Sequence, residues 1–393
     1  MGKFRLIAQV AQEERGGRKD GMLRIAILNY ADVRNFGDVL FPMVVAREIC
    51  ARIPAAEVTF LTPTGTSWAG MQSQRYDRVN LESFHALILG GGEIVHRDDE
   101  MLKAIYALFG LDCIDRPTDL VFGWTTATVP FKAWLALGVP EPTAEVRDDI
   151  SRGTQMLDFI GARGSRSAAR LSASGAPARV TLTPDLGWLF PRLLAGRMPR
   201  PNPANGSPYL AVQATGFVDV TSAAAALRRV ARTTGLRVVL LPLTRCWQDE
   251  RPLSALQQAS DGEFVLIDDS TSDLDKLAIL GGATLYVGQS MHGLIGALSQ
   301  CRLGGICLPD GDDKFGELLR DLNLLQFRTS GWEGVEALVQ TLLWSPLGLV
   351  AQCRAAAEQQ LDTLFDEVST HLLDAARSSA PLRDAPAAAP ISN

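Results

Sequence analysis

Four short stretches of the chain place residues that bind anions, accept hydrogen bonds or move protons within a few positions of a glycine. Asn35-Phe36-Gly37-Asp38 puts an amide, a glycine and a carboxylate in one turn, where Asn35 and Asp38 either cap a following helix or hydrogen-bond a ligand hydroxyl. Leu87–Glu93 runs an apolar segment into Gly90, Gly91 and Gly92, which let backbone N–H groups approach a ligand or let the next element pack closely. Gly161–Leu171 carries three arginines within eight residues. Arg163 closes an apolar run and Ser167 follows at an expected helix start, an arrangement suited to an anion, whereas Arg166 and Arg170 read as a solvated face. The stretch Val287–Gly296 contains His292, one of four histidines, between Ser290 and Gly293. Imidazole exchanges its proton near neutral pH, Ser290 suits a helix N-cap, and Gly293 permits close approach at the helix start.

The hydrophobic pattern supplies elements to position them. Short apolar runs predict strands at Leu23–Asn29, Glu57–Leu61, Ala86–Leu89, Leu120–Phe122 and Val180–Thr183, and the spacing after Gly37 predicts a helix. Residues 195–207 hold three prolines and two glycines with no apolar period, which marks a linker. The alternation then restarts, with strands Tyr209–Gln213, Leu236–Leu243, Phe264–Asp268, Thr284–Gly288 and Gly304–Leu308. Between and after them lie helices Ser222–Thr233, Leu253–Ala259, Ser272–Leu280, His292–Ser299 and Lys314–Leu322. Val335–Thr370 is mostly helical with a break at Ser345–Gly348, and the Ala/Pro/Ser-rich end is expected to be disordered.

Strand alternating with helix implies parallel β-α-β units, hence an α/β chain of two Rossmann-like domains facing a cleft, the default place for a site. The expected boundaries are an extension at 1–21, a first domain at 22–194, the linker at 195–207, a second domain at 208–345, a C-terminal helix at 346–374 that crosses back to the first domain, and a tail at 375–393.

Composition narrows the function. A 393-residue chain with 47% hydrophobic and 21% charged residues matches an ordinary globular enzyme, and a net charge of -6 argues against a general nucleic-acid or anionic-membrane surface. Any anion must therefore meet local positive charge. The six cysteines form no C-x-x-C pair, so neither a zinc ribbon nor a dithiol site is indicated, and they read as buried thiols; no metal and no cofactor are expected. No run approaches the roughly 18–20 apolar residues of a membrane span, and residues 1–21 lack a signal-peptide core, so a cytoplasmic location is expected.

Taken in chain order, these stretches resemble the polysaccharide pyruvyl transferase family. The resemblance rests on Asn35, Gly37 and Asp38; on Gly90–Gly92; on Arg163-Gly164-Ser165-Arg166-Ser167; on Asp185 after a strand; and on Gln289–Ile295 around His292. It implies a GT-B-like fold and transfer of pyruvate from phosphoenolpyruvate to sugar hydroxyls as a ketal, in surface-polysaccharide or exopolysaccharide biosynthesis. In that reading His292 is the general acid; Arg163, Ser167, Ser290 and Gly293 hold the donor; and Asn35, Gly37, Asp38, Gly91 and Gly92 lie on the acceptor side. The implied partners are phosphoenolpyruvate and a lipid-linked or nucleotide-linked saccharide, with no nucleic acid, and with peripheral association with membrane-bound glycan assembly enzymes.

Two positions depart from the family pattern. Gly164 stands where the family has aspartate, and Ser290 where it has arginine. Arg166, Arg245 or Lys314 then supplies the missing cation, or the donor differs. Two alternatives follow: a GT-B-like glycosyltransferase using a sugar nucleotide, and a non-catalytic member that binds a glycan or partner. For the latter, Trp68 and Trp124 are candidate sugar platforms, with Trp134 and Trp188 assigned to the core.

Overall fold

The computed structural model describes residues 22–68, 70–93, 122–177, 179–198, 202–216, 218–309 and 314–378, together with residues 103 and 107. The extension 1–21, most of the expected strand Leu120–Phe122 and the tail beyond 378 lie outside these residues.

The first half is built on strands β1 (Leu23–Leu28), β2 (Ala56–Thr62), β3 (Ser73–Arg75), β4 (Ala86–Gly90), β5 (Phe131–Leu137), β6 (Phe159–Arg163) and β7 (Thr181–Thr183). They form one parallel sheet in the order β3-β2-β1-β4-β5-β6-β7. The second half carries β8 (Tyr209–Val212), β9 (Arg237–Leu240), β10 (Val265–Leu266), β11 (Leu285–Gly288), β12 (Leu303–Cys307) and β13 (Arg328–Thr329). These form a second parallel sheet, β10-β9-β8-β11-β12-β13. The helices are α1 (Phe36–Arg52), α2 (Ala144–Thr154), α3 (Gly164–Ala173), α4 (Val220–Thr234), α5 (Glu250–Ala259), α6 (Asp273–Gly282), α7 (Met291–Leu298), α8 (Lys314–Asp321), α9 (Val335–Trp344) and α10 (Leu347–Ser378).

Central strands β4 and β5 are buried along their whole length, because helices cover parallel sheets on both faces. Each sheet reverses its winding beside its first strand, between β1 and β4 and between β8 and β11. Ligands of open α/β sheets bind outside the strand C-termini at such switch points. In this chain the two switch points carry Asn35 and Glu93 on one side and Gln213 and His292 on the other.

The halves share one apolar core. Phe190, in the 3-10 stretch Leu186–Leu194, packs on Phe36 and Phe41 of α1 at ring-centroid distances of 5.9 and 5.6 Å. A Cβ on Gly187 would lie 2.9 Å from Ile295 of α7, so the absence of a side chain there lets these elements meet. The Phe36 N–H also donates to the Leu243 carbonyl at 3.1 Å, and Asn35 bridges to Thr244.

Helix α10 returns to the first half, a path suggested by analogy with two-domain Rossmann-like chains, and continues to Ser378, past the boundary placed at 374. Asp362 accepts from Arg52 at 3.0 Å and from Arg192 at 2.8 Å, while buried Glu48 accepts from both arginines at 2.8 Å. Among the described residues no single helix is long and apolar enough to cross a membrane.

Trp134 and Trp188 are core residues as expected, but so are the two tryptophans read as sugar platforms. Trp124 is fully buried against the first-half core, and Trp68 is buried with its Nε1 donating to the Val39 carbonyl at 3.2 Å. A large apolar ring gains more from burial than from an exposed loop position, so neither presents a face to ligand.

Candidate active site

Arg163 ends β6 and stands at the N-cap of α3. Its guanidinium lies over Gly138, where any Cβ would fall on Nη2. Nη1 donates to Asp185 Oδ2 at 3.0 Å, and Nη2 reaches Glu93 Oε2 at 3.5 Å. Asp185 follows β7 and caps the Leu186–Leu194 stretch, its Oδ1 accepting from the Gly187 N–H at 2.7 Å. The same Oδ2 lies 3.6 Å from His292 Nε2, which is buried and has no hydrogen-bond partner among the described residues. At that separation the pair is one small ring movement short of a hydrogen bond.

Burial pushes the Asp185 carboxyl upward. The pull of His292, the Arg163 charge and the Gly187 N–H outweigh it and hold the group at about 2. Asp185 is thus a fixed negative charge orienting both the guanidinium and the imidazole.

Gly37 and Phe41 of α1 meet His292 across the two halves. The ring packs edge-on against Phe41 at 4.9 Å, and a Cβ on Gly37 would fall on its Nδ1. Gly37→Ala must therefore displace the ring, and overpacking of this kind costs about 1–3 kcal/mol. A lowered thermal midpoint is the expected result; an unchanged one would remove the contact.

Asp38, half-buried one residue on, is raised from its ordinary value by burial, against the pull of His292, Lys314, Arg163 and the Asn35 hydrogen bond. Gly91 and Gly92 turn the chain after β4 with φ of 73° and 85°, where glycine is unstrained. Their backbone is tied to the neighbouring segments, Gly91 N–H to the Leu135 carbonyl and Gly138 N–H to the Gly92 carbonyl, and the turn delivers Glu93 to the cleft.

The remaining candidates take other positions. Ser167 is buried and its Oγ accepts from the Val139 N–H at 3.0 Å, which fixes the turn under Arg163. Ser290 caps α7 by accepting from the Gly293 N–H at 3.1 Å, and Gly293 packs on Tyr286 and Leu243, so both set the height of His292. Of the cations considered as substitutes at Ser290, Arg245 pairs with Asp269. Lys314 lies 3.4 Å from Glu93 Oε2, beside Arg163. Arg170, read as solvated, is instead half-buried and donates to the Val139 carbonyl at 2.8 Å.

Glu93, Gly138 and Glu317 were not singled out from sequence. Glu317 Oε1 accepts from the Arg166 N–H at 2.8 Å, reaching from α8 to the start of α3. Only for Glu93 did the sequence hold a signal, a carboxylate directly after a glycine turn at a strand end.

At the second switch point, Gln289 Oε1 accepts from Thr215, and its N–H donates to Gln213 Oε1 at 2.8 Å. Gln213 Nε2 and the Leu243 and Thr244 N–H groups all donate to Asp249 Oδ2, fixing the loop that bridges to Asn35. Burial raises Asp249 to about 6 despite those donors and the Lys276 charge. Between the ordinary 3.8 and about 6 the folded chain keeps this proton and the unfolded chain does not, so this group lowers stability as pH rises through that window. Asp249→Asn is expected to flatten that slope in thermal melts across the window; an identical slope would contradict the assignment.

Among solved structures, the chain is similar to the Staphylococcus aureus MnaA–UDP co-structure, with a TM-score of 0.55 and 10% identity over 86% of this chain and 92% of that one. It is also similar to UDP-GlcNAc 2-epimerase from Neisseria meningitidis bound to UDP-GlcNAc, with a TM-score of 0.49 and 9% identity over 90% and 99%. At such identity the first likeness speaks to fold alone, two Rossmann-like domains in the GT-B arrangement. No curated protein matches the chain. The family model for polysaccharide pyruvyl transferase matches residues 35–302, which run from the Asn35 turn through Arg163, Asp185 and His292, and the chain belongs to that family.

Proposed function

We infer that the protein transfers pyruvate from phosphoenolpyruvate to two hydroxyls of a saccharide as a ketal, in surface-polysaccharide or exopolysaccharide assembly. The observation that carries this reading is the Arg163–Asp185–His292 chain, in which one buried carboxylate holds a guanidinium and an imidazole side by side between the two switch points.

The reaction needs a proton on the methylene carbon of phosphoenolpyruvate, which leaves C2 oxocarbenium-like and open to a sugar hydroxyl. A second hydroxyl then displaces phosphate, so that one hydroxyl proton replaces the proton delivered to carbon and the other leaves with phosphate. His292 is the group suited to protonate carbon, because Asp185 stabilises the imidazolium without competing for its proton. Arg163 offers the face of its guanidinium not held by Asp185 to the donor's carboxylate or phosphate. Asp38, raised by burial, suits the acceptance of a proton from the attacking hydroxyl. A lipid-linked or nucleotide-linked saccharide as acceptor, a cytoplasmic location and peripheral association with membrane-bound glycan assembly enzymes complete the reading.

Isothermal titration of the purified chain with phosphoenolpyruvate and with sugar nucleotides tests it. Saturable phosphoenolpyruvate binding that Arg163→Ala abolishes supports pyruvyl transfer. Binding of a sugar nucleotide alone would move the assignment to a glycosyltransferase.

A further inference from the structure

Three backbone links between the halves converge on the loop that joins β9 to α5. The Phe36 N–H donates to the Leu243 carbonyl at 3.1 Å, Asn35 bridges to Thr244, and the Arg245 N–H donates to the Arg34 carbonyl at 3.2 Å. The next residue, Cys246, is buried in a cluster otherwise made of first-half residues. The second half thus holds the Asn35–Asp38 turn through one loop, and whatever fixes that loop fixes the turn.

Asp249 fixes it. The residue is 1% exposed, and its Oδ2 accepts from the Leu243 N–H at 3.1 Å, the Thr244 N–H at 2.9 Å and Gln213 Nε2 at 2.9 Å. Gln213 in turn accepts on Oε1 from the Gln289 N–H at 2.8 Å, one residue before the Ser290 cap of the helix that bears His292. One carboxylate oxygen is therefore tied on one side to the loop that carries the Asn35–Asp38 turn and on the other to the segment that carries His292. Its second oxygen, Oδ1, is buried and has no hydrogen-bond partner among the described residues. A buried carboxylate with one oxygen unused is a costly way to close a loop. What the charge supplies is a strong pull on three N–H donors at a single point.

We propose that Asp249 is a positioning residue of the site: its carboxylate sets the register of the Asn35–Asp38 turn of the first half against His292 of the second. It acts through other residues and touches no ligand itself. Without it, the Leu243–Thr244 backbone and Gln213 lose their common anchor, so the turn and the imidazole move independently. A displacement of about 1 Å between reacting groups is enough to slow a reaction by about 10²-fold. Arg163 keeps its place, because its contacts with Asp185 and over Gly138 lie within the first half and do not pass through Asp249. The inference rests on the reading of His292 and Asp38 as groups that act on donor and acceptor, and it adds the residue that holds them in register.

The test combines turnover with hydrogen exchange on the full chain, for wild type, Asp249→Asn, Gln213→Met and Leu256→Ala, each checked for folding by its melt. Leu256 is a buried residue of α5, so its truncation lowers the melt through a cavity and leaves the Asp249 contacts in place. Asp249→Asn is expected to lower kcat for phosphoenolpyruvate-dependent transfer by about 10- to 100-fold while KM for phosphoenolpyruvate stays within about twofold of wild type. Exchange should quicken together at the Phe36, Arg245 and Gln289 amides. Gln213→Met cuts only the link to Gln289, so exchange should quicken there and not at Phe36, again with a lowered kcat; this variant carries the test if Asp249→Asn does not fold. Leu256→Ala should keep its turnover. A folded Asp249→Asn chain with wild-type kcat overturns the proposal, as does a Leu256→Ala chain of equal melt that loses as much turnover. If no acceptor supports transfer in wild type, joint quickening at Phe36 and Gln289 in Asp249→Asn sustains the register while the pyruvyl reading falls. Transfer in wild type with unchanged exchange in Asp249→Asn sinks the register alone.

Discussion

His292→Asn is expected to lower the rate of phosphoenolpyruvate-dependent transfer by about 10²–10⁴-fold, the range for losing a positioned general acid. The fold should survive it. Asp185 keeps its 3.0 Å bond from Arg163 and its 2.7 Å bond from Gly187 N–H, so no buried charge is orphaned. Phe41 and Gly37, which now contact the ring, lose part of a packing partner without gaining a clash. Turnover and thermal midpoint measured together separate the two effects. A His292→Asn enzyme with turnover near wild type would remove the histidine from the chemistry, and one that fails to fold would make it a core residue.

Arg163→Ala is expected to have the largest effect on stability, about 3–5 kcal/mol, because it strips a guanidinium at 3.0 Å from a buried carboxylate that keeps only His292 and the Gly187 N–H beside it. The pH dependence identifies the cause. Asp185 is held at about 2 in the folded chain against an ordinary 3.8, so the stabilisation from its pairing is fully present above that ordinary value and is lost as pH falls toward about 2. The deficit of the variant relative to wild type should therefore be greatest near neutral pH and shrink in acid, where Asp185 protonates and needs no partner. Denaturant melts at several pH values measure this. A deficit independent of pH would mean that lost packing over Gly138, rather than lost charge, is responsible. Arg163→Lys keeps the charge without the fork, and should restore more stability than anion binding.

Both halves of the fold were legible because parallel strands covered on both faces are apolar throughout. Strands such as Ala86–Gly90 and Leu285–Gly288 stand out as short runs bounded by glycine. Strand Phe131–Leu137 was missed for the opposite reason. It holds Lys132, whose Nζ is buried and donates to the Thr125 and Ala127 carbonyls at 2.6 and 3.1 Å, and a charged residue in an apolar run reads as a surface. Helix Ala144–Thr154 was also missed, since its Glu, Arg and Asp content hides the buried Val146 and Ile150.

The site divides in the same way. Arg163, Asp185, His292 and Asn35–Asp38 follow strand ends, and their local sequence places them. Glu93, Lys314 and Glu317 owe their roles to the meeting of the two halves, a relation between residues more than 200 positions apart for Glu93 and Lys314 that no local pattern encodes. Ser167 and Gly293 looked like ligand contacts and are packing residues of the turns beneath the site. A serine or glycine near a helix start serves either purpose, and the neighbour it faces decides which.

The most direct test of the account is phosphate release from phosphoenolpyruvate by the purified chain, with a panel of lipid-linked and nucleotide-linked saccharides as acceptors and His292→Asn in parallel. The account predicts release that depends on an acceptor, accompanied by a pyruvate ketal in the product and absent from the variant. Release of nucleotide from a sugar nucleotide, with phosphoenolpyruvate left intact under every acceptor, would contradict it.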